Sequence, residues 1–566
     1  MSHLTNALTR DWRLWPFVAG AVFLLNASVT FDNVWPTPKI RWGYALSIEL
    51  AIVVLILVAA GGRAGLVTRR ALPALWVTLI AGHYLDVTGH GLYGRDFNLY
   101  WDAQHLGNVG AMLARAAPWW LIALSLLVGV LAITASYVAA RLTFAIVGEA
   151  VQRRASRLVL GVLSAAVIVL FAGQMLGPFP TPPAFADPVT PAYARQARYV
   201  LATLGPRVAG PSLPASPALD ADLGGLEGAD VFLVFVESYG AVTFDTPSMA
   251  AALADSRAGL ERAVSETGRQ MVSAYADSPT FGASSWLAHL TLLSGVEVRD
   301  QYAYTSLMSS GRETLVTSFA RRGYRTVALM PGMRQAWPEG AFYGFDEIYG
   351  FDSLAYDGPR FGWWTIPDQY ALAKLDALEG TRHPRAPLFV VFPTSTTHAP
   401  FGPVAPYHTD WSRLLADEAY EEERVERALS NRPDLTNLRP SYVHAMAYEY
   451  ATLAGYLREH AGDALVMIAI GDHQPPAAVS GAEASWLVPV HVIASRDELL
   501  TDLEARGFRP GLQPQRPPIG GMHALVPILL QAFDDPGGGG LDAQYDSPGG
   551  RPVTAGIAAA PATDLP

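Results

Sequence analysis

The apolar positions of this chain fall into two regimes. As far as residue 176 they run in long blocks, over 14–31, 44–60, 72–93, 119–140 and 158–176. The hydrocarbon core of a bilayer, about 30 Å thick, is crossed by roughly 20 apolar helical residues, so the blocks predict five transmembrane helices. His83, Asp86 and His90 interrupt the third. Polar side chains at membrane depth are costly, so these three are expected in the outer interface. The run Pro-Phe-Pro-Thr-Pro-Pro at 178–183 cannot continue a helix and ends the fifth span. Farther on, short apolar runs at 231–236, 271–276, 326–330, 388–392, 465–470 and 488–493 alternate with amphipathic helical stretches at 250–266, 314–322 and 441–460. That alternation predicts an α/β domain with a mainly parallel, buried central sheet. The expected organisation is a five-helix membrane domain over 1–177, a connecting segment over 178–228, an α/β domain over 229–533 and a disordered tail over 534–566. Within the connecting segment, 211–221 is rich in Pro, Ser and Ala and reads as a linker. The tail has little apolar content and carries Gly537 to Gly540 in succession. No internal repeat is evident.

Composition sharpens this picture. Charged residues are 16% of the chain, below the roughly 25% of soluble domains, and the shortfall lies in the first third. The net charge of −11 gives a nucleic-acid role no electrostatic support. There is no cysteine, which excludes disulfides, thiolate metal sites and cysteine nucleophiles. Orientation follows from the Lys/Arg bias of the short loops. Arg10 and Arg13 precede the first span, Arg63, Arg69 and Arg70 follow the second, and Arg141, Arg153, Arg154 and Arg157 follow the fourth. The opposite loops hold Lys39 with Arg41, and Arg95 with Arg115. The N-terminus is therefore expected in the cytoplasm and the α/β domain outside the cell (inner) membrane, periplasmic or extracellular. No small-residue cleavage site follows the first apolar run, so a removable signal peptide is not expected. The segment 91–102, rich in Tyr, Trp, Arg and Asp, reads as an interfacial aromatic belt, with the membrane side of a substrate site as the alternative.

In parallel sheets ligands sit at the carboxyl ends of the strands. The run 231–236 leads straight into Glu237-Ser238-Tyr239-Gly240, and 465–470 leads into Gly471-Asp472-His473-Gln474. Glu, Asp and His together suit a divalent cation. Either motif alone is equally a cap or a turn. A third element, Ser284-Ser285-Trp286-Leu287-Ala288-His289, follows the strand at 271–276 and opens a helix. A serine there faces the positive end of the helix, which favours an oxyanion or phosphate, although serine is also a common N-cap. A nearby cation would make its hydroxyl a nucleophile at neutral pH.

These three motifs, in this order, resemble the sulfatase-type branch of the alkaline-phosphatase superfamily. With five preceding spans the layout is similar to lipoteichoic acid synthases and related phosphoglycerol transferases. The resemblance implies a central sheet flanked by helices and one metal ion, Mn²⁺ first, with Zn²⁺ or Mg²⁺ as alternatives. It implies ligation by Glu237, Ser285, Asp472 and His473, with Ser285 as nucleophile. Ser285 is preferred to Ser284 because the family places a small residue and Gly nine and ten positions later, where Ser294 and Gly295 stand. True sulfatases follow the nucleophile with x-Pro-x-Arg for conversion to formylglycine. That signal is absent here, which argues for a seryl nucleophile acting on phosphorus. His398, in Thr394-Ser-Thr-Thr-His398-Ala-Pro-Phe401, is similar to a substrate-side histidine of the family. Trp337 matches a tryptophan placed against phosphoglycerol. Glu339 stands where an arginine is expected, with Arg334 as the substitute. His289 and His523 are read as structural.

The implied reaction is ping-pong transfer of a phosphoglycerol-like group. A membrane lipid is the donor, a glycan or polymer the acceptor, and a phosphoseryl enzyme the intermediate. Two rivals stand beside it: a hydrolase of the same fold, with water as acceptor, and a non-catalytic membrane scaffold. Five spans without repeats do not suggest a transporter.

Overall fold

The computed structural model of the chain describes residues 14–33, 40–61, 66–93, 99, 103, 110, 119–176, 184–204, 213–334, 337–362, 365–380, 384–416, 418–481 and 483–535. The proline run at 178–183, most of the aromatic segment at 91–102 and nearly all of the tail lie outside these residues.

The first apolar block forms α1 (Trp15–Ala27), followed by a two-residue pair of strands, β1 (Asp32–Asn33) and β2 (Ile40–Arg41). Then come α2 (Ile48–Ala59), α3 (Leu66–Tyr93), α4 (Trp119–Gln152) and α5 (Arg154–Leu176). Among the described residues, two of these, α4 and α5, are long and apolar enough to cross a membrane. α1 and α2 are apolar but have only 13 and 12 residues. Ser47 caps α2 by accepting from the Leu50 amide. The helices meet around a core of Leu25, Val54, Trp76, Val147 and Val151, while Leu126, Leu131, Val162 and Val169 face outward. Two of the three polar groups of the third block are partnered; the His90 side chain lies outside the described residues. His83 is buried, its ring edge-on to Phe31 and its Nε2 2.5 Å from the Phe31 carbonyl. Asp86 pairs with Arg195 at 3.3 Å, on α6 (Val189–Leu204).

The second regime builds one eight-stranded sheet. Its strands are β3 (Asp230–Val236), β4 (Gln270–Asp277), β5 (Arg325–Leu329), β6 (Glu347–Tyr349), β7 (Leu388–Pro393), β8 (Leu465–Gly471), β9 (Leu487–Ala494) and β10 (Arg509–Pro510), in the order β10-β4-β9-β8-β3-β7-β5-β6. The sheet is mixed, which corrects the expectation of a mainly parallel one. The pairs from β8 across to β6 are parallel, whereas β10·β4, β4·β9 and β9·β8 are antiparallel. The cause is the connection after β8. Pro475 and Pro476 break the chain, and only a short helix (Ala477–Ser480) follows in place of a crossover helix. Gln474 then holds the returning chain by donating to the carbonyls of Ser485 (2.8 Å) and Leu487 (3.2 Å). Because β9 runs against both β4 and β8, those two point the same way. The carboxyl ends of β3, β4, β5, β7 and β8 therefore share one edge.

Helices cover both faces. α7 (Ala254–Glu266), α10 (Asp368–Glu379) and α11 (Arg439–Glu459) lie on one; α8 (Ser285–Ser294), α9 (Leu315–Arg321), α12 (Asp497–Ala505) and α13 (Leu525–Phe533) lie on the other. Strand β3 shows why its run is apolar throughout. Phe232, Val234 and Val236 enter one core and Val231, Leu233 and Phe235 the other. The described part of the stretch expected as linker is packed rather than loose. Leu219 and Ala221 are buried, and the carbonyls of Leu219, Asp220 and Ala221 accept from Ser318, Arg321 and Arg322.

Candidate active site

The turn after β3 is the centre of the arrangement. Ser238 has φ 57°, a left-handed conformation that costs a non-glycine residue roughly 1 kcal/mol or more and persists only where neighbours hold it. Its amide donates to Asp472 Oδ1 (2.8 Å), its hydroxyl to Glu237 Oε1 (3.0 Å), and its carbonyl accepts from the Tyr442 hydroxyl (2.8 Å). The Glu237 amide donates to Thr394 Oγ1 (3.1 Å) at the end of β7. The turns after β3 and β8 pack tightly against each other. A Cβ on Gly240 would lie 1.8 Å from Gln474 Oε1, and one on Gly471 1.8 Å from the Tyr239 carbonyl oxygen, so glycine is required at both.

These contacts bring Glu237, Asp472 and His473 together. All three are buried, and one ligand atom from each lies within 4.8 Å of the others. His473 Nε2 is 3.6 Å from Glu237 Oε1 and 3.7 Å from Asp472 Oδ2, while its Nδ1 faces the Gln474 carbonyl at 2.8 Å. Ser285 is the first residue of α8, which Ser284 starts from a left-handed φ of 69° and Gly295 ends at φ 66°. Its hydroxyl donates to Glu237 Oε2 (2.9 Å) and lies 3.2 Å from His473 Nε2. The Ser284 hydroxyl is buried and makes no hydrogen bond. Of the adjacent serines, Ser285 is the one that meets the cluster.

The donor set fits a divalent cation. Asp472 Oδ2 is buried without a hydrogen-bond partner. Burial, with the charge of Glu237 beside it, pushes the Asp472 carboxyl up to about 6. Burial pushes His473 down, but Asp472 and Glu237 outweigh it and draw its pKa above the usual imidazole range. The cluster thus calls for positive charge, and it presents two carboxylates, an imidazole nitrogen and a hydroxyl, the hard and borderline donors that Mn²⁺, Mg²⁺ and Zn²⁺ take.

The other candidates are placed by different contacts. His398 shares a cavity of about 20 Å³ with Thr365, Ser395 and Thr396. Burial holds it below the usual imidazole range, and the charges of His473 and Asp472 reach it. Arg334 donates to Thr365 Oγ1 and its guanidinium lies 3.8 Å over the Phe351 ring. Trp337 packs at 5.3 Å on Tyr343, and Glu339 lines an open hollow of about 620 Å³ with Arg312 and Phe342. His289 lies 4.3 Å from Phe235 with Nε2 unpartnered, and burial lowers it to about 4. Sequence reasoning passed over Asp368, which accepts from the amides and hydroxyls of both Ser395 and Thr396 and so fixes the turn ahead of His398. Its position at the first turn of α10 gave no chemical signal.

A mixed sheet between helical layers thus carries a serine, two carboxylates and a histidine together at its carboxyl edge. No family model and no curated protein matches the chain by sequence. It is similar to solved structures of the alkaline-phosphatase superfamily. The lipoteichoic acid synthase LtaP from Listeria monocytogenes is 13% identical, with 58% of this chain and 77% of that one covered at a TM-score of 0.36. The integral membrane phosphoethanolamine transferase EptA from Neisseria meningitidis is 13% identical over 86% and 87%, at 0.43. An alkaline-phosphatase-superfamily protein from Vibrio parahaemolyticus is 17% identical over 58% and 71%, at 0.33. Likenesses this distant settle neither reaction nor substrate, which rest on the chain's own residues.

Proposed function

We propose that the chain is a membrane-anchored, metal-dependent phosphotransferase that moves a phosphoglycerol-like group from a lipid head group to a hydroxyl of a glycan or polymer. One observation carries the reading: the Ser285 hydroxyl, at the start of a helix, lies 2.9 Å from Glu237 and 3.2 Å from His473, beside the unpartnered oxygen of Asp472. Glu237, Asp472, His473 and Ser285 Oγ would hold the cation, with Mn²⁺ the first choice. A bound divalent cation supplies polarisation of a phosphoryl oxygen and a lowered hydroxyl pKa. Ser285 Oγ gives up its proton and forms the new bond to phosphorus while the ester bond to the lipid alcohol breaks, and that alcohol leaves carrying the proton. In the second step an acceptor hydroxyl attacks the phosphoseryl group and gives up its proton, and Ser285 is released. The start of α8 faces the charge that develops on the phosphoryl oxygens. His398, Arg334 and Trp337 are assigned to the head group. In this reading the helices α1 to α5 are the five spans, and they hold the 229–533 domain on the outer face, near its lipid donor. The absence of cysteine, and of the formylglycine signal after Ser285, supports phosphorus over sulfur.

The test is metal content together with Mn²⁺-dependent cleavage of a chromogenic phosphodiester, with and without a glycan acceptor, for wild type and Ser285→Ala. The expected result is an active, metal-bearing wild type whose rate rises with acceptor, and a Ser285→Ala variant that still binds metal but is slower by roughly a thousandfold or more. Full activity in Ser285→Ala would move the nucleophile to Ser284. A wild type without metal or cleavage would leave a scaffold.

A further inference from the structure

Behind the Glu237 turn runs a buried line of polar side chains that the reaction above does not use. Tyr450 on α11 donates to the Tyr239 hydroxyl at 2.9 Å, and Tyr239 lies 2.9 Å from His491 Nε2. His491 Nδ1 is 2.6 Å from Ser273 Oγ, which donates at 2.6 Å to the Gly511 carbonyl at the edge of the sheet. All four side chains are buried, and Ser273 and His491 face each other directly in the β4–β9 register.

The protons in this line have a single consistent direction. A carbonyl can only accept, so the hydroxyl hydrogen of Ser273 goes to Gly511, and its lone pair must take Nδ1–H from His491. A neutral imidazole protonated at Nδ1 has a bare Nε2, which accepts from the Tyr239 hydroxyl. The Tyr239 oxygen then accepts from Tyr450. Every O–H and N–H in the line is then donated, and His491 Nε2 accepts. Burial, which pushes His491 down to about 3, keeps the ring neutral.

We propose that the Tyr450–Tyr239–His491–Ser273 chain is a positioning device for the cation site, with His491 locked as its Nδ1–H tautomer. It rests on the reading of Glu237 and Asp472 as metal ligands. Tyr239 sits two residues from Glu237, and its carbonyl oxygen is the atom against which Gly471 packs, next to Asp472. Anchoring the ring of Tyr239 from three other elements (β4, β9 and α11) fixes both strand-end turns at their point of contact. The strained Ser238 needs such support on either side. Tyr442 supplies it at the Ser238 carbonyl and Tyr239 at the next residue.

The test uses the full chain in detergent. Manganese binding is followed by titration calorimetry, with the melting temperature of the metal-free protein in parallel, for wild type, Tyr239→Phe and His491→Leu. Tyr239→Phe removes one oxygen and should weaken Mn²⁺ binding by about tenfold in folded protein, the low end of the losses seen when groups behind metal ligands are changed. His491→Leu should do the same, and nitrogen-resolved NMR of wild type at neutral pH should show His491 protonated at Nδ1 alone. A Tyr239→Phe variant that melts lower yet binds Mn²⁺ within twofold of wild type has only a structural tyrosine, which overturns the positioning role. An Nε2–H tautomer overturns the direction of the chain. A wild type that takes up no metal overturns the site reading and the positioning role with it.

Discussion

The substitution that best joins fold to site is Gly471→Ala. A Cβ there would stand 1.8 Å from the Tyr239 carbonyl oxygen, 2.8 Å from its carbon and 3.2 Å from Val488 Cβ. Ordinary contact begins near 3.4 Å, so the Tyr239 peptide must retreat by roughly 1.6 Å. The obstacle is backbone and cannot rotate aside as a side chain would. Retreat pulls on Ser238, whose amide and carbonyl are tied to Asp472 and Tyr442 at 2.8 Å each. Overpacking costs about 1–3 kcal/mol, and loss of a hydrogen bond to a charged group about 1.5–3 kcal/mol, so the expected destabilisation is about 2.5–6 kcal/mol.

The same movement separates Glu237 from Asp472. Mn²⁺ affinity should therefore fall by at least tenfold in whatever fraction folds. Thermal melting followed by near-ultraviolet circular dichroism, with calorimetric titration of Mn²⁺ below the transition, measures both effects. A Gly471→Ala variant that melts within roughly 1 °C of wild type and binds Mn²⁺ with unchanged affinity would refute the reasoning, because the turns would then be free to slide.

Other outcomes follow from the same geometry. Gly259 lies inside α7, where an added Cβ would meet only Arg262 Nη2 at 3.9 Å, so Gly259→Ala should stabilise by about 0.8–1 kcal/mol, visible as a raised melting temperature with metal binding unchanged. Glu379, buried at the far edge of the sheet, accepts from Arg325 at 2.9 and 3.0 Å and from Tyr349 at 2.7 Å. Glu379→Gln should destabilise by about 2–3 kcal/mol in a denaturant melt while leaving kcat of the folded enzyme intact, since it lies at the opposite end of the strands from the site. Thr394→Val strands the Glu237 amide and should cost about 1–3 kcal/mol together with Mn²⁺ affinity, whereas Thr394→Ser should restore both.

The apolar runs located six of the eight strands to within a residue or so, because a run buried on both faces has nothing else to be, and missed the short edge strands β6 and β10. Strand direction is a different matter. The run Leu487–Ala494 reads the same whether it lies parallel or antiparallel to its neighbour, and what reverses it is Gln474 gripping Ser485 and Leu487 across a turn. The long apolar blocks of the first third show the same limit. Composition predicts five spanning helices, but the first two blocks form helices of 13 and 12 residues, and among the described residues two helices are long and apolar enough to cross a membrane. Glu237, Ser285, Asp472 and His473 could be singled out because each sits where a strand ends or a helix begins. His491 and Ser273 were passed over, although each is one polar residue inside an apolar run. Opposite each other in register, they form the kind of pair that a buried strand carries only when the two satisfy one another.

Glu237 and Asp472 are far apart in sequence, yet only two residues, Gly240 and Gly471, set how closely their turns approach. At Gly471 the contact is with the Tyr239 carbonyl and at Gly240 with the Gln474 side chain and Cα, so the separation of the carboxylates is fixed by a peptide plane on one side and by the tethered Gln474 amide on the other. The left-handed Ser238 is what that approach requires, since a β-region residue there would carry the chain straight on from β3 and away from Asp472. The strain is then held by hydrogen bonds at consecutive backbone positions: Thr394 on Glu237, Asp472 and Tyr442 on Ser238, and Val236 on Tyr239. Each of these partners comes from β3, from another strand end or from α11, so the geometry of the site is a property of the whole sheet edge. A pocket built this way resists small shifts and fails abruptly when one peptide is displaced, which is why the glycines, rather than the more conspicuous histidines around them, are the sharpest places to probe it.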